Sequence, residues 1–373
     1  MERDIYNSYL LINTSRIRAN IRSILASLPA GAELIPMLKC NAYGFGLERM
    51  AQIVSEFPSI RMAAVAQVLE ALELRRCGFE RKILVTGASA SSAQRRAAIE
   101  NGVTLAAYSA DFIRLLNDDA DAVGRPADVH IKINTGLNRL GFCPGAELDG
   151  GIAALRECVL VRPSGVFSHF SELEAPASAE ADEQYTRFTD AVTQLQSAGI
   201  EPGLRHICAS AAFEFHPEMA LDAVRIGRRL YYDNPIRPDG GVAEAASWRA
   251  AITDVRLRRA GSKLGYGEGI KLEKDTKTAM LGIGYGDGLF QTLVSAHAPV
   301  LVNGRRARLL CCCMDQCFVD VSGIDCSPGD EATLFGQDGS GKLLPAQDIA
   351  ALMRDEACTI TAALGPRVCK IYE

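Results

Sequence analysis

Lys39 ends a short apolar run, LIPMLK, and tips into a loop, CNAYGFG, that holds a tyrosine and two glycines. A lysine amine set among other cations loses affinity for its proton and becomes a candidate for imine formation with a carbonyl. Taken alone, a strand-end lysine is more often solvated or salt-bridged, and a lone serine after a strand is usually a helix cap. Here the apolar runs end in turn near Lys39 with Tyr43, then Arg139, His169, Ser210, and Arg225 with Gly227. Ser210, in HICASAAF, opens a helical stretch whose free N–H groups and dipole suit a phosphate. Gly227, in RIGRRLYY, permits close backbone approach to the same anion. A carbonyl compound that bears a phosphate and is fixed by a lysine describes pyridoxal phosphate.

The elements that must position these residues alternate. From about residue 34 to 235 the strand candidates are LIPMLK, RMAAVA, KILVTG, TLAAYS, DVHIKI, RPSGVFSH, RHICAS and AVRIG. Helical stretches lie between them and end in glycine at Gly78, Gly102 and Gly199, a C-cap signature. Eight such repeats predict an α/β fold, a (β/α)8 TIM barrel, whose active-site face collects the strand C-termini. An open sheet would want a glycine-rich phosphate loop after the first strand, and NAYGFG is not GxGxxG. After Pro235 the pattern changes to short strands with glycine punctuation, and Asn303-Gly304 between apolar runs signals a hairpin. A helix, PAQDIAALMRDEA, follows. The expected organisation is a barrel domain over 8–240 and a mostly β C-terminal domain over 241–373, with segment 1–14 able to pair with the latter.

Composition excludes several classes. The 373 residues are 48 % hydrophobic and 23 % charged, with a net charge of −5 and no basic stripe, so a nucleic-acid surface is not expected. No apolar run approaches the roughly 20 residues of a membrane span, and the N-terminus lacks a signal-peptide pattern. None of the twelve cysteines forms a CxxC pair. Cys311, Cys312, Cys313 and Cys317 fall in an apolar strand pattern where cysteine acts as a small hydrophobe, so no metal site is expected and the thiols read as reduced.

Several of these motifs occur in the order found in a known family. LKCNAYGFG, INTGLNRLGF, VFSHF, HICASAA, RIGRRLYYDNP, GYGEG, GIGYGDG and CCCMDQCFVDVSG resemble the alanine racemase family of barrel-type, fold type III pyridoxal-phosphate racemases, over essentially the whole chain. The resemblance implies an enzyme, an amino-acid racemase interconverting L- and D-alanine. Lys39 would hold pyridoxal 5'-phosphate covalently and serve as base on one face of the α-carbon. Tyr266, from the partner subunit of a homodimer, would serve the other, its phenolate favoured by His169 and Arg225. Tyr43, Ser210, and the backbone of Gly227 and Arg228 would hold the phosphate. His169 would pack near the ring, and Arg225 would face its nitrogen. Arg139 and the backbone of Met314 of the partner subunit would bind the substrate carboxylate, and Tyr285 would narrow the entrance. A cytoplasmic place and supply of D-alanine for cell-wall synthesis are implied in the same way, with no nucleic-acid or membrane partner.

Some positions depart from the family pattern: Phe45, Asn134, Ala209, Gln291 and Pro366. Lys132 matches a lysine that is carbamylated in some members. His206 matches a family position without an assigned role, and His130, His216 and His297 read as surface or core histidines. The departures leave Lys39 and Tyr266 in place and bear on substrate choice. The alternatives are a racemase for serine or another amino acid, and a pyridoxal-phosphate-dependent decarboxylase, which would want a longer β domain.

Overall fold

The computed structural model describes residues 5–171, 179–232, 243–267 and 269–373. The end of RIGRRLYYDNP from Asp233, the expected boundary near residue 240, and Glu268 of GYGEG lie outside the described residues. The chain forms two compact units, Arg22–Leu230 and Met1–Ile21 joined with Tyr231–Glu373.

Strand β1 (Ser8–Ile12) belongs to the second unit. The first carries eight parallel strands among the described residues: β2 (Glu33–Pro36), β3 (Met62–Val65), β4 (Lys82–Val85), β5 (Thr104–Ala107), β6 (Ala127–Lys132), β7 (Val161–Phe167), β8 (Leu204–His206) and β9 (Ala223–Ile226). β3 to β8 pair in chain order, and β2 pairs with β9. The bridges Met37–Ala64 and Ala209–Arg225 complete the circuit at the strand C-termini. The runs are short and apolar because both faces of a barrel strand are covered; β3 and β5 are buried at every position. Ile35, Met37, Met62, Ala64, Leu84 and Ala223 pack into a shared core, and burial of the larger side chains, Ile35, Met37, Met62 and Leu84, contributes roughly 1.5–3 kcal/mol each. Gly78, Gly102 and Gly199 end their helices at φ of +80°, +60° and +76°, the left-handed C-cap that glycine adopts without a Cβ penalty.

The second unit is antiparallel apart from one pair. Its strands after β1 are β10 (Ala246–Arg258), β11 (Lys263–Leu264), β12 (Ile270–Lys271), β13 (Thr276–Leu281), β14 (Pro299–Val302), β15 (Arg305–Cys312), β16 (Cys317–Asp320), β17 (Glu331–Gln337), β18 (Leu343–Leu344) and β19 (Cys369–Tyr372). Strands β10, β13, β16, β15, β14 and β17 form a ring that closes because β17 pairs with β10 as well as β14. β1 lies between β10 and the parallel β19. Asn303 and Gly304 both take positive φ at the β14–β15 turn, as a two-residue hairpin of that sequence requires. The expected helix PAQDIAALMRDEA is helical only over Ala346–Ala351, and a second short helix, Ala357–Ala362, follows it. RLLCCCMDQCFVDVSG is likewise two strands, broken by a turn at Cys313–Gln316. No helix of the described residues is long and apolar enough to cross a membrane.

Candidate active site

Lys39 stands three residues after the end of β2, and the backbone after it is unusual. Cys40, Asn41, Ala42 and Tyr43 take φ of +54°, +53°, +53° and +58°, a left-handed turn built without glycine. Each such residue costs about 1–2 kcal/mol, so the surroundings must hold the turn in place. Asn41 Oδ1 accepts the N–H of Leu47 at 2.7 Å. The N–H of Gly44 turns back to Cys40 O and Asn41 O at 3.0 and 3.1 Å. The result sets the Lys39 ammonium over the Tyr43 ring, 5.7 Å from its centroid. Phe45 is wholly buried behind the turn and packs as core.

The turn brings Tyr43 to Gly227. A Cβ on Gly227 would lie 2.1 Å from the Tyr43 hydroxyl, so only glycine admits this approach. Ser210 opens the helix Ser210–Phe215, is buried, and receives the Gly227 N–H on its hydroxyl at 3.4 Å. Arg228 follows in a 3-10 turn, Arg228–Leu230. Tyr43, Ser210 and the backbone of Gly227 thus converge from the ends of three strands.

Arg225, buried on β9, is the centre of the rim. Its NH2 group donates to Ser168 O at 2.6 Å, Ile207 O at 3.0 Å and His169 Nδ1 at 3.2 Å. Its NH1 group donates to His206 Nδ1 at 2.7 Å and His206 O at 3.1 Å. A guanidinium only donates, so both histidines accept on Nδ1 and carry their proton on Nε2. His206 then donates from Nε2 to His130 Nδ1 at 2.8 Å. Burial first, and then the charges of nearby cations, among them Arg225 for all three and Lys82 for His130, keep the rings neutral: His130 and His169 fall to about 3, and His206 goes well below its ordinary value. Burial lowers Arg225 itself to about 10.

Lys132, on the same face of β6 as His130, is buried with its amine on Thr86 O at 3.1 Å. Burial first, then Arg139 and Arg225, lowers it to about 8. Arg139 sits on a loop that folds back on β6, since Phe142 N–H reaches Lys132 O and Asn134 N–H reaches Phe142 O, both at 2.8 Å. The charges acting on His169 come from Arg225, Arg139, Lys39 and Lys132, all cations. Such a rim suits an anion with several charges.

The other three expected site residues stand in the second unit, on turns. Tyr266 follows Gly265, whose φ of +81° and packing on Cys311 Sγ exclude a side chain. Beneath it Leu264, Leu272 and Leu310 form a small core joined by Cys311 and Phe318, so this cysteine does pack as a hydrophobe. Tyr266 is 71 % exposed, Met314 57 % and Tyr285 40 %. Tyr285 N–H donates to Cys313 O at 3.1 Å and Gly286 N–H to Met314 O at 2.8 Å, which ties those two turns together. The Tyr266 phenol is pushed up, first by the charge of the Cys313 sulfur and then by slight burial, with Tyr285 and Asp315 acting in the same sense. Within its own unit, then, the phenolate is disfavoured.

The barrel residues fit pyridoxal 5'-phosphate on this geometry. A primary amine stands at the rim, a cradle that a Cβ would fill lies beside it, and the field is cationic. Two participants escaped the sequence reading. His206 and His130 complete the chain from Arg225 into the barrel, where Gly165 makes room for the His130 ring. The available signal was strand alternation: His130 shares a face with Lys132.

Known proteins match the chain throughout. The model of the alanine racemase N-terminal domain matches residues 12–235, and that of the C-terminal domain residues 245–372. The alanine racemase of Desulforamulus reducens is 34% identical over 367 residues, 97% of either chain. That of Methanococcus maripaludis is 32% identical over 338 residues, 89% of this chain and 90% of the other. Among solved structures, alanine racemase from Streptomyces coelicolor superposes with a TM-score of 0.91 at 28% identity, covering 100% of this chain and 99% of that one. Alanine racemase from Streptomyces lavendulae gives 0.90 at 30% identity, over 99% and 97%.

Proposed function

We propose a two-base mechanism for this chain, which belongs to the alanine racemase family and interconverts L- and D-alanine. Pyridoxal 5'-phosphate, when bound, acts as an electron sink that acidifies the α C–H of the amino acid. Lys39 would hold it, Tyr43, Ser210, Gly227 N–H and Arg228 N–H would take its phosphate, and Arg225 would face its ring nitrogen. The observation that carries this reading is Arg225 itself. It is locked by Ser168, His206, Ile207 and His169, and at about 10 it stays charged at neutral pH and has no acceptor to offer. Arg225 would offer a ring nitrogen facing it a hydrogen bond and no full proton, so the sink would be weaker. That would favour return of the α-proton over wider electron delocalisation.

Racemisation needs a base on each face of the α-carbon. Lys39 Nζ takes or gives the proton on one face. Tyr266 Oη of the partner subunit serves the other in a homodimer whose sites are shared. Its phenol, pushed up in its own unit, must be brought down by the partner's surroundings. A cationic rim with neutral His169, a ring whose Nε2–H can donate, has the right sign. Arg139 and the N–H of Met314 of the partner subunit would hold the substrate carboxylate, and Tyr285 would narrow the entrance. The domain division at residue 240 and a cytoplasmic location are part of this proposal.

The test is exchange in heavy water with L-alanine, L-serine and larger L-amino acids, followed by proton NMR and chiral analysis. Loss of the α-proton signal with appearance of D-alanine is the expected result. Exchange with retained chirality would mean that one base alone works. No exchange with any substrate, in protein that holds the cofactor, would overturn the reading.

A further inference from the structure

We propose that Glu70 is a positioning residue for Lys39, holding the left-handed turn that aims the amine; the proposal rests on the reading of Lys39 as the cofactor lysine. Glu70 lies in the first turn of the helix Val68–Arg76. Its Oε2 accepts the N–H of Ala66 at 2.9 Å and of Gln67 at 3.0 Å, which caps its own helix. Its Oε1 does something that capping does not require: it accepts the N–H of Cys40, the residue after Lys39. A carboxylate offers lone pairs for both tasks at once. One side chain thereby joins the loop after β3 to the first residue of the turn after β2.

The site of this contact gives it meaning. Cys40 is the first of four successive left-handed residues, and none of the four is glycine. Strain of this kind persists only where neighbours over-determine the backbone. Asn41 Oδ1 on Leu47 N–H secures the far end of the turn, and the Ala42 N–H on Leu38 O, at 2.9 Å, secures its middle. Glu70 secures the near end, one peptide from the amine. A charged acceptor makes the stronger kind of hydrogen bond, so its loss should loosen the turn where Lys39 leaves β2. The exposed Cys40 side chain adds only the Cβ penalty, which makes the strain removable without emptying the core.

The measurement is titration of cofactor-free protein with pyridoxal 5'-phosphate, read by the visible absorbance of the lysine-bound form, with unfolding temperature recorded in parallel. Glu70→Gln and Glu70→Ala should each weaken cofactor affinity by about tenfold or more. Glu70→Ala combined with Cys40→Gly should recover most of that loss, because glycine adopts the left-handed conformation without strain. Gln67→Ala, which removes the neighbouring side chain and keeps the backbone N–H that Glu70 accepts, should leave cofactor affinity unchanged. Wild-type affinity in folded Glu70→Ala and Glu70→Gln would overturn the proposal, and so would a double variant no better than Glu70→Ala. Absence of the lysine-bound absorbance in the unsubstituted protein would instead remove the reading of Lys39 on which the proposal stands.

Discussion

The barrel rim and the turns of the β unit treat their functional side chains in opposite ways. Arg225, 4 % exposed, is held by backbone carbonyls and two imidazoles. Gly227, Tyr43 and Ser210 are fitted to one another within ångströms. Tyr266 and Met314, each more than half exposed, sit on turns that a small core fixes in place while their tips project outward. The electrostatics differ in the same direction. Burial among cations keeps His169 neutral and makes the Lys132 amine easier to deprotonate, whereas Tyr266 has neighbours that disfavour its phenolate. The rim is an organised receptor for an anionic ligand. On the proposed mechanism, Tyr266 is a reagent whose activating surroundings come from the partner subunit.

Substitutions should separate the two regions. Lys39→Ala should abolish covalent cofactor binding and lower racemisation by about 10⁴-fold or more, whereas Tyr266→Phe should cost about 10²–10⁴-fold with cofactor affinity unchanged. Absorbance titration beside chiral assay checks the pair; loss of cofactor affinity in Tyr266→Phe would break the separation.

The next effect in size belongs to the rim alone. His130, His169 and His206 are neutral in the folded state with pKa values far below 6.5, so the unfolded chain binds the extra protons. Stability is therefore complete above pH 6.5 and falls as pH drops below it, by roughly 4 kcal/mol per unit for the three rings together. Urea unfolding of cofactor-free protein at pH 7, 6 and 5 measures the slope. His130→Phe should reduce it by about a third, and an unchanged slope would mean that the buried chain is not neutral.

Gly227→Ala should weaken pyridoxal 5'-phosphate binding by roughly tenfold to a hundredfold, through displacement of the Tyr43 hydroxyl. Binding of pyridoxal without its phosphate should change much less, and equal losses for the two would place the effect outside the phosphate cradle. Met314→Ala should do least. The residue is exposed and its proposed contact is through the backbone, so unfolding free energy should stay within about 0.5 kcal/mol and KM should rise only a few-fold.

The parts legible in the sequence were those with local signals. Strand–helix alternation gave the barrel, and glycine at Gly78, Gly102 and Gly199 marked helix ends that adopt positive φ. Lys39, Ser210 and Gly227 were visible because each ends a strand pattern, and Asn303-Gly304 because a two-residue hairpin demands that chemistry. His206 and His130 were not, since their link to Arg225 depends on the register of β6, β7 and β8. The left-handed turn over Cys40–Tyr43 had no signal either, because four non-glycine residues do not announce positive φ. Its support comes from Glu70, thirty residues along the chain.

The central claim is that the two bases come from different copies of the chain, and mixed dimers test it directly. Lys39→Ala and Tyr266→Phe proteins, each nearly inactive alone, are dissociated together and allowed to reassociate. In a mixed dimer one site receives intact Lys39 from one copy and intact Tyr266 from the other, so activity should return to about a quarter of the unsubstituted level on random pairing. A mixture that forms mixed dimers and stays as inactive as its components would place both bases on one chain and contradict the account.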